Sequence, residues 1–338
     1  MSDDHDRHAA HRETVREFSR AGGPLDKDGQ HSTLNNPAWF IDGKVDQPTA
    51  RRRALWRRLR DEARAEAPGA RQDGKAIVLA GPPGAGKGHV QGNVLGLDKD
   101  AWLVVDADKF KDKLLREAMN DGSYETFLKP DAVREREAAG EPFFPLELAA
   151  LVHEESSHLA RLLRDEALRE GTNVVIDSVL SNPRAAVALG NQLAAAGYEV
   201  EVVDVEVPYE LSQARIAQRW RESYEGAVVT GEGLGGRWVP SMYAREVFDG
   251  PGGRSRSQES AAVLATTCPA VLRYRRFWTR AAEAPMRVET DMGRFQRGGD
   301  LVDHSLLATR SRASAGQAVP PRPRVPRRGQ DRGSGLER

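Results

Sequence analysis

The stretch GPPGAGKGH at residues 81–89 holds the residue types that bind phosphate. Phosphate-binding loops read G-x-x-x-x-G-K-[ST]. Backbone N–H groups of the glycine-rich turn surround phosphate oxygens, the lysine adds a fixed positive charge, and the last hydroxyl holds Mg²⁺. Gly81, Pro82, Pro83, Gly84, Ala85, Gly86 and Lys87 fit this pattern. Gly88 stands where the hydroxyl is expected, and His89 follows it. Neutral imidazole is a poor ligand for Mg²⁺, which prefers oxygen. The metal is therefore expected to lean on carboxylates, waters and the nucleotide's own phosphates. The competing reading is a glycine-rich turn with a chance lysine. The apolar run KAIVLAG (75–81) before the loop and a plausible helix after it favour the phosphate cradle.

Two further segments bring carboxylates. In VVDADKFK (104–111), Asp106 and Asp108 follow an apolar run at i and i+2, so in extended chain they point the same way. A carboxylate there can take the proton of an attacking hydroxyl during phosphoryl transfer, or it can cap the helix that begins at KFKDKLLREAM. Both uses stay open, one residue each: Asp108 as base, Asp106 as metal ligand or cap. In TNVVIDS (172–178), Asp177 and Ser178 close another apolar run. Asp177 is a metal candidate there, and both residues are acceptor candidates.

Other candidates lie on helices. Glu155 interrupts an apolar stripe of Leu148, Leu151, Val152, Leu159, Leu162 and Leu163. A carboxylate in that position binds ligand hydroxyls or pairs with a buried arginine. LSQARIAQRW places Arg215 and Arg219 at i and i+4 on one helical face. The glycine-rich GAVVTGEGLGGRWVP (226–240) ends with Arg237 and reads as a mobile loop that could carry a guanidinium over a phosphate site. The alternative is a solvated basic helix and a plain surface loop.

The elements that position these residues alternate. Apolar strands are expected at 75–81, 101–108, 172–177 and 199–207, and helices at 50–67, 145–171, 183–198 and 209–225. Such alternation implies an α/β fold with a mainly parallel sheet and helices on both faces. Ligands of these sheets bind beyond the carboxyl ends of the strands, where Gly81–Gly88, Asp106, Asp108, Asp177 and Ser178 all fall.

Around this centre, residues 1–48 read as a polar arm with one apolar knot, PAWFI (37–41). Residues 49–305 hold the periodic segments, and 306–338 form a basic, Pro- and Gly-rich tail expected to be disordered. Fifty basic and fifty acidic residues balance, which argues against a nucleic-acid or membrane partner. The single Cys268 fits a reducing compartment. No apolar run approaches the roughly 18 residues of a membrane span, so a cytoplasmic protein is expected.

Taken together, GPPGAGKG, VVDADKF, VHEESSHLARLLRDEALREGTNVVIDSVLSN and RIAQRWRESYEG…GGRWVP resemble the zeta toxin family over roughly residues 75–250. The resemblance implies a P-loop kinase that uses ATP and Mg²⁺ and phosphorylates the sugar of UDP-N-acetylglucosamine, held in check by an antitoxin. It matches Asp108 to the family's catalytic base and Lys87 to its P-loop lysine. Arg219 and Arg237 match the arginines beside the triphosphate. Asp177-Ser178-Val179 stands where the family has an acidic residue, Gly and Thr. The alternatives are a kinase of another small molecule, such as a nucleoside monophosphate or an antibiotic hydroxyl, and a non-catalytic ATP-binding protein acting on nucleic acid.

Overall fold

A computed structural model describes residues 2–307. Of the tail expected to be disordered, 306–338, residues 306 and 307 are helical and the rest lies outside the described residues. Seven strands form one sheet: β1 (Lys75–Ala80), β2 (Leu103–Asp106), β3 (Val174–Asp177), β4 (Glu199–Glu206), β5 (Val271–Trp278), β6 (Arg287–Gly293) and β7 (Val302–Asp303). Their order is β2-β3-β1-β4-β5-β6-β7. The first five run parallel, and β6 and β7 add an antiparallel edge.

The helices are α1 (Ser2–Phe18), α2 (Ala50–Ala65), α3 (Lys87–His89), α4 (Ala107–Asp121), α5 (Asp131–Ala138), α6 (His153–Glu170), α7 (Pro183–Ala195), α8 (Tyr209–Thr230), α9 (Ser241–Phe248) and α10 (Arg256–Thr267). Alternate residues of β1 feed opposite faces of the sheet. Ala76, Val78 and Ala80 join the larger core, which includes α2, α4, α6, α7 and α10. Ile77 and Leu79 join a smaller one with Val203, Val205 and Phe277, against which Leu211 of α8 packs. Burial on both faces explains why the central strands read as unbroken apolar runs.

Three differences from the sequence reading have physical causes. Residues 145–171 are not one helix. Pro145–Val152 is a 3-10 helix, and α6 begins at His153 and stops at Gly171, whose φ of 71° suits glycine. The segment around CPAVLRYRRFW, unassigned from sequence, is β5. Its Arg273 and Arg275 pair with Asp291 of β6 and Glu201 of β4 and so keep charge on a solvated face. Finally, α8 continues to Thr230, and the loop after it is fastened, with Leu234 buried.

Residues 8–48 pack onto the body. Val15, Leu25, Trp39 and Phe40 are buried in the same core cluster as α4 and α6. Trp39 lies under the Arg52 guanidinium at 4.1 Å.

Candidate active site

The phosphate loop is shaped by contacts that tolerate no side chain. Gly81 has φ of 145°, and a Cβ there would stand 2.2 Å from the Val205 carbonyl oxygen of β4. Gly84 has φ of 74°, and its Cβ would stand 2.7 Å from the Ser212 carbonyl. The loop therefore lies directly on β4 and the first turn of α8. From α8, Ser212 Oγ donates to the Pro83 carbonyl at 2.7 Å, and Arg215 donates to the carbonyls of Gly84 (3.3 Å) and Ala85 (3.2 Å). Pinning carbonyls outward leaves the N–H groups of Gly84, Gly86, Lys87 and Gly88 to face a ligand. Arg215 thus props the loop, a role that helical spacing alone did not reveal.

Lys87 opens α3. Its Nζ donates to the Gly81 carbonyl at 2.9 Å and lies 3.7 Å from Asp177 Oδ1. Gly88 borders open space. His89 is exposed and its Nδ1 meets Asn93 at 3.0 Å, so the imidazole is engaged by the helical turn that follows α3.

Asp106 and Asp177 end adjacent parallel strands in matched register. Burial first, then the charges of Asp177 and Asp108, push Asp106 up to about 6. Burial also raises Asp177, against the pull of Lys87. Asp106 Oδ1 accepts the Asp108 N–H at 2.8 Å and so caps α4. These two hard oxygen donors repel each other, and a divalent cation would relieve that repulsion, so they fit one. Among the described residues no group of three or more His, Cys, Asp or Glu gathers as a complete cage. Phosphate and water oxygens would have to complete the shell.

Asp108 sits in the first turn of α4 and is half-buried. It pairs with Lys111 at 3.0 Å and with Arg237 at 2.5 Å. Burial acts to raise its pKa, but Lys111, Arg237 and Lys87 outweigh it and hold the carboxyl at about 2. Arg237 also reaches Asp112 at 3.1 Å. Arg219 of α8 makes no hydrogen bond among the described residues. Partial burial and the like charge of Arg237 lower its pKa, and Asp108 acts to raise it. His153, at the start of α6, completes the surroundings. Burial and then the charge of Lys111 lower its pKa. Lys111, Asp112 and His153 were not singled out from sequence. The i, i+3 spacing of Asp108 and Lys111 is the signal that could have found the first.

Ser178 follows Asp177, and its Oγ accepts the Leu180 N–H at 3.0 Å. Glu155 is elsewhere. It is fully buried and accepts two hydrogen bonds from Arg52 (2.6 and 2.7 Å) and one from Trp56 Nε1 (2.6 Å). Of its two readings, the buried arginine pair is the one in the structure. Its carboxylate oxygens accept from α2, which leaves no access for a ligand hydroxyl.

Residues 114–270 match the family model described as Zeta toxin. Over that span the chain is similar to the zeta toxin family. The matched span begins after the phosphate loop and Asp108 and ends at Ala270, so the zeta toxin likeness and the loop motif are separate observations on one sheet. Solved structures of AvrRxo1-ORF1:AvrRxo1-ORF2 share the fold. The native complex aligns with a TM-score of 0.52 at 17% identity, covering 83% of this chain and 82% of the other. The complex with ATP aligns at 0.50 and 17%, covering 83% and 77%. The complex with sulphate ions aligns at 0.50 and 17%, covering 82% and 77%. No curated protein matches the sequence. No described helix of this zeta-toxin-like chain is long and apolar enough to cross a membrane.

Proposed function

We propose that this chain is an ATP-dependent phosphotransferase. It would move the γ-phosphoryl group to a hydroxyl of a nucleotide-sugar, with UDP-N-acetylglucosamine as the first acceptor, and act as a toxin restrained by a partner protein. The observation that carries the reading is the convergence of Lys87, Asp106, Asp108, Asp177 and Arg237 at the carboxyl ends of β1, β2 and β3. The zeta toxin match supports the reaction class, and the two-chain AvrRxo1-ORF1:AvrRxo1-ORF2 neighbours, one of them with ATP, support a nucleotide and a partner chain.

In this reading the N–H groups of Gly84, Gly86, Lys87 and Gly88 hold the β- and γ-phosphates, and the Lys87 side chain neutralises the terminal ones. Asp106 and Asp177 would hold Mg²⁺, which would supply positive charge to the phosphates. Arg237 is occupied by Asp108 and Asp112 in the structure. A triphosphate, with its greater charge, competes for that guanidinium. Drawing Arg237 onto the γ-phosphate removes one cation from Asp108 and makes it a better base, so nucleotide arrival prepares the carboxylate. Asp108 then accepts the acceptor's hydroxyl proton as the new O–P bond forms and ADP leaves. Arg219 and Arg237 balance charge on the transferring group. Ser178 keeps a hydroxyl proton free to donate to the acceptor beside Asp177.

The test is ATP turnover with and without UDP-N-acetylglucosamine, followed by mass spectrometry of the acceptor. A phosphorylated sugar nucleotide supports the proposal. ATP consumption with only other small molecules phosphorylated rejects this acceptor, and no turnover with any acceptor rejects the reaction class.

A further inference from the structure

α1 buries the ionisable side chain of His11. His11 is 3% exposed, with Nδ1 at 2.7 Å from Glu141 Oε1 and Nε2 at 2.9 Å from Glu147 Oε1. Carboxylates only accept, so both ring nitrogens donate and the ring is an imidazolium. Burial acts to lower its pKa, but the two carboxylates outweigh it and raise it. The ring stacks on Tyr224 at 4.6 Å and meets the edge of Phe143 at 4.7 Å.

Glu147 links this contact to the candidate active site. It is buried, and its Oε1 also accepts Trp220 Nε1 at 3.1 Å, while Oε2 accepts the Phe144 N–H at 2.9 Å. Trp220 and Phe144 form the surface under the loop that carries Arg237. A Cβ at Gly235 would stand 2.2 Å from Phe144 Cβ, and one at Gly236 would stand 2.2 Å from the Trp220 carbonyl. The Leu146 N–H donates to the Leu234 carbonyl at 2.8 Å, and Trp238 meets Trp220 edge-on at 6.2 Å. These contacts flank Arg237 on both sides.

We infer that His11 is a positioning residue: through Glu147 and Trp220, α1 braces the loop that brings Arg237 to Asp108. Without the imidazolium, Glu147 keeps a buried negative charge with only neutral donors, which is strongly unfavourable. The carboxylate must then gain water or a proton. Either change disturbs the indole and backbone on which Gly236 and Trp238 rest. The consequence for rate rests on the phosphotransferase reading, whereas the brace itself does not.

The test is amide hydrogen exchange on the full-length chain with His11→Ala. Exchange across residues 233–238 should rise at least about tenfold while β1 and residues 81–88 stay unchanged. Under turnover, kcat should fall roughly tenfold or more with a smaller rise in KM for ATP, because the guanidinium is misplaced and the phosphate loop is not. Added imidazole should restore both readouts, since the vacated space keeps its two carboxylates; an unrelated loss of helix α1 would not respond. Loop exchange that stays at the wild-type level in His11→Ala overturns the inference. If that variant loosens β1 as well, Glu141→Gln removes the half-exposed partner instead and should give a smaller, loop-selective rise; an unchanged loop there overturns it equally. If the wild type transfers no phosphate, exchange still decides the brace, so the two proposals fail separately.

Discussion

Asp106 and Asp177 stand opposite each other at the ends of neighbouring parallel strands, with Lys87 3.7 Å from Asp177 and bonded to the Gly81 carbonyl. Two carboxylates and one cation leave net negative charge at the mouth of the phosphate loop. Asp177→Asn should therefore raise the Mg²⁺ concentration for half-maximal rate. Gly88→Ser should lower it or leave it unchanged, because the position borders open space and can accept a hydroxymethyl group. An unaltered Mg²⁺ titration for Asp177→Asn would remove that residue from the metal site.

The same pair predicts a pH dependence. Asp106 is pushed up to about 6, so it is protonated below that pH and cannot serve a metal. Protons and Mg²⁺ then compete, and the half-saturating Mg²⁺ should rise by up to about tenfold per unit as pH falls below about 6. Above that pH it should level off. In Asp106→Asn this step should vanish from Mg²⁺ titrations followed at a series of pH values.

The strand ends that carry these carboxylates were legible because β1 and β3 are buried on both faces and, with β2, appear as short apolar runs closed by Gly or Asp. β5 was not legible, because Arg273, Arg275 and Arg276 interrupt its pattern and their carboxylate partners come from β4 and β6. Glu155 illustrates the same limit. Its helical stripe showed that a carboxylate would be buried, but only the packing of α2 identified Arg52 as its partner. His11 lies in a polar helix whose sequence carries no apolar stripe, and nothing local marks a side chain that docks on residues more than a hundred positions away.

Glu155→Ala should act on stability and not on the acceptor. It strands the buried Arg52 guanidinium, and breaking a buried pair costs about 3–5 kcal/mol. Chemical denaturation should show that loss, while KM for the acceptor stays unchanged in the folded fraction. A changed KM with unchanged stability would return Glu155 to the ligand site.

Gly81→Ala should abolish nucleotide binding, because the added methyl would collide with the Val205 carbonyl of a central strand and either the loop or the sheet must move. Isothermal titration with ATP checks this. Lys87→Ala should keep the loop's shape but lower transfer by roughly 100- to 1,000-fold, the scale seen when one charge-stabilising group is removed from a transition state. Wild-type turnover in Lys87→Ala would reject the phosphate loop assignment.

The most direct measurement is single-turnover transfer from ATP by Asp108→Asn and Asp106→Asn, with ATP affinity measured alongside. Asparagine keeps the size of Asp108 but cannot take a proton, so transfer should fall by roughly 10²–10⁴-fold while ATP binding is retained. Asp106→Asn should reduce transfer less, and high Mg²⁺ should recover part of it. Transfer at the wild-type rate by Asp108→Asn would contradict the account, and its abolition in Asp106→Asn alone would assign the base to Asp106.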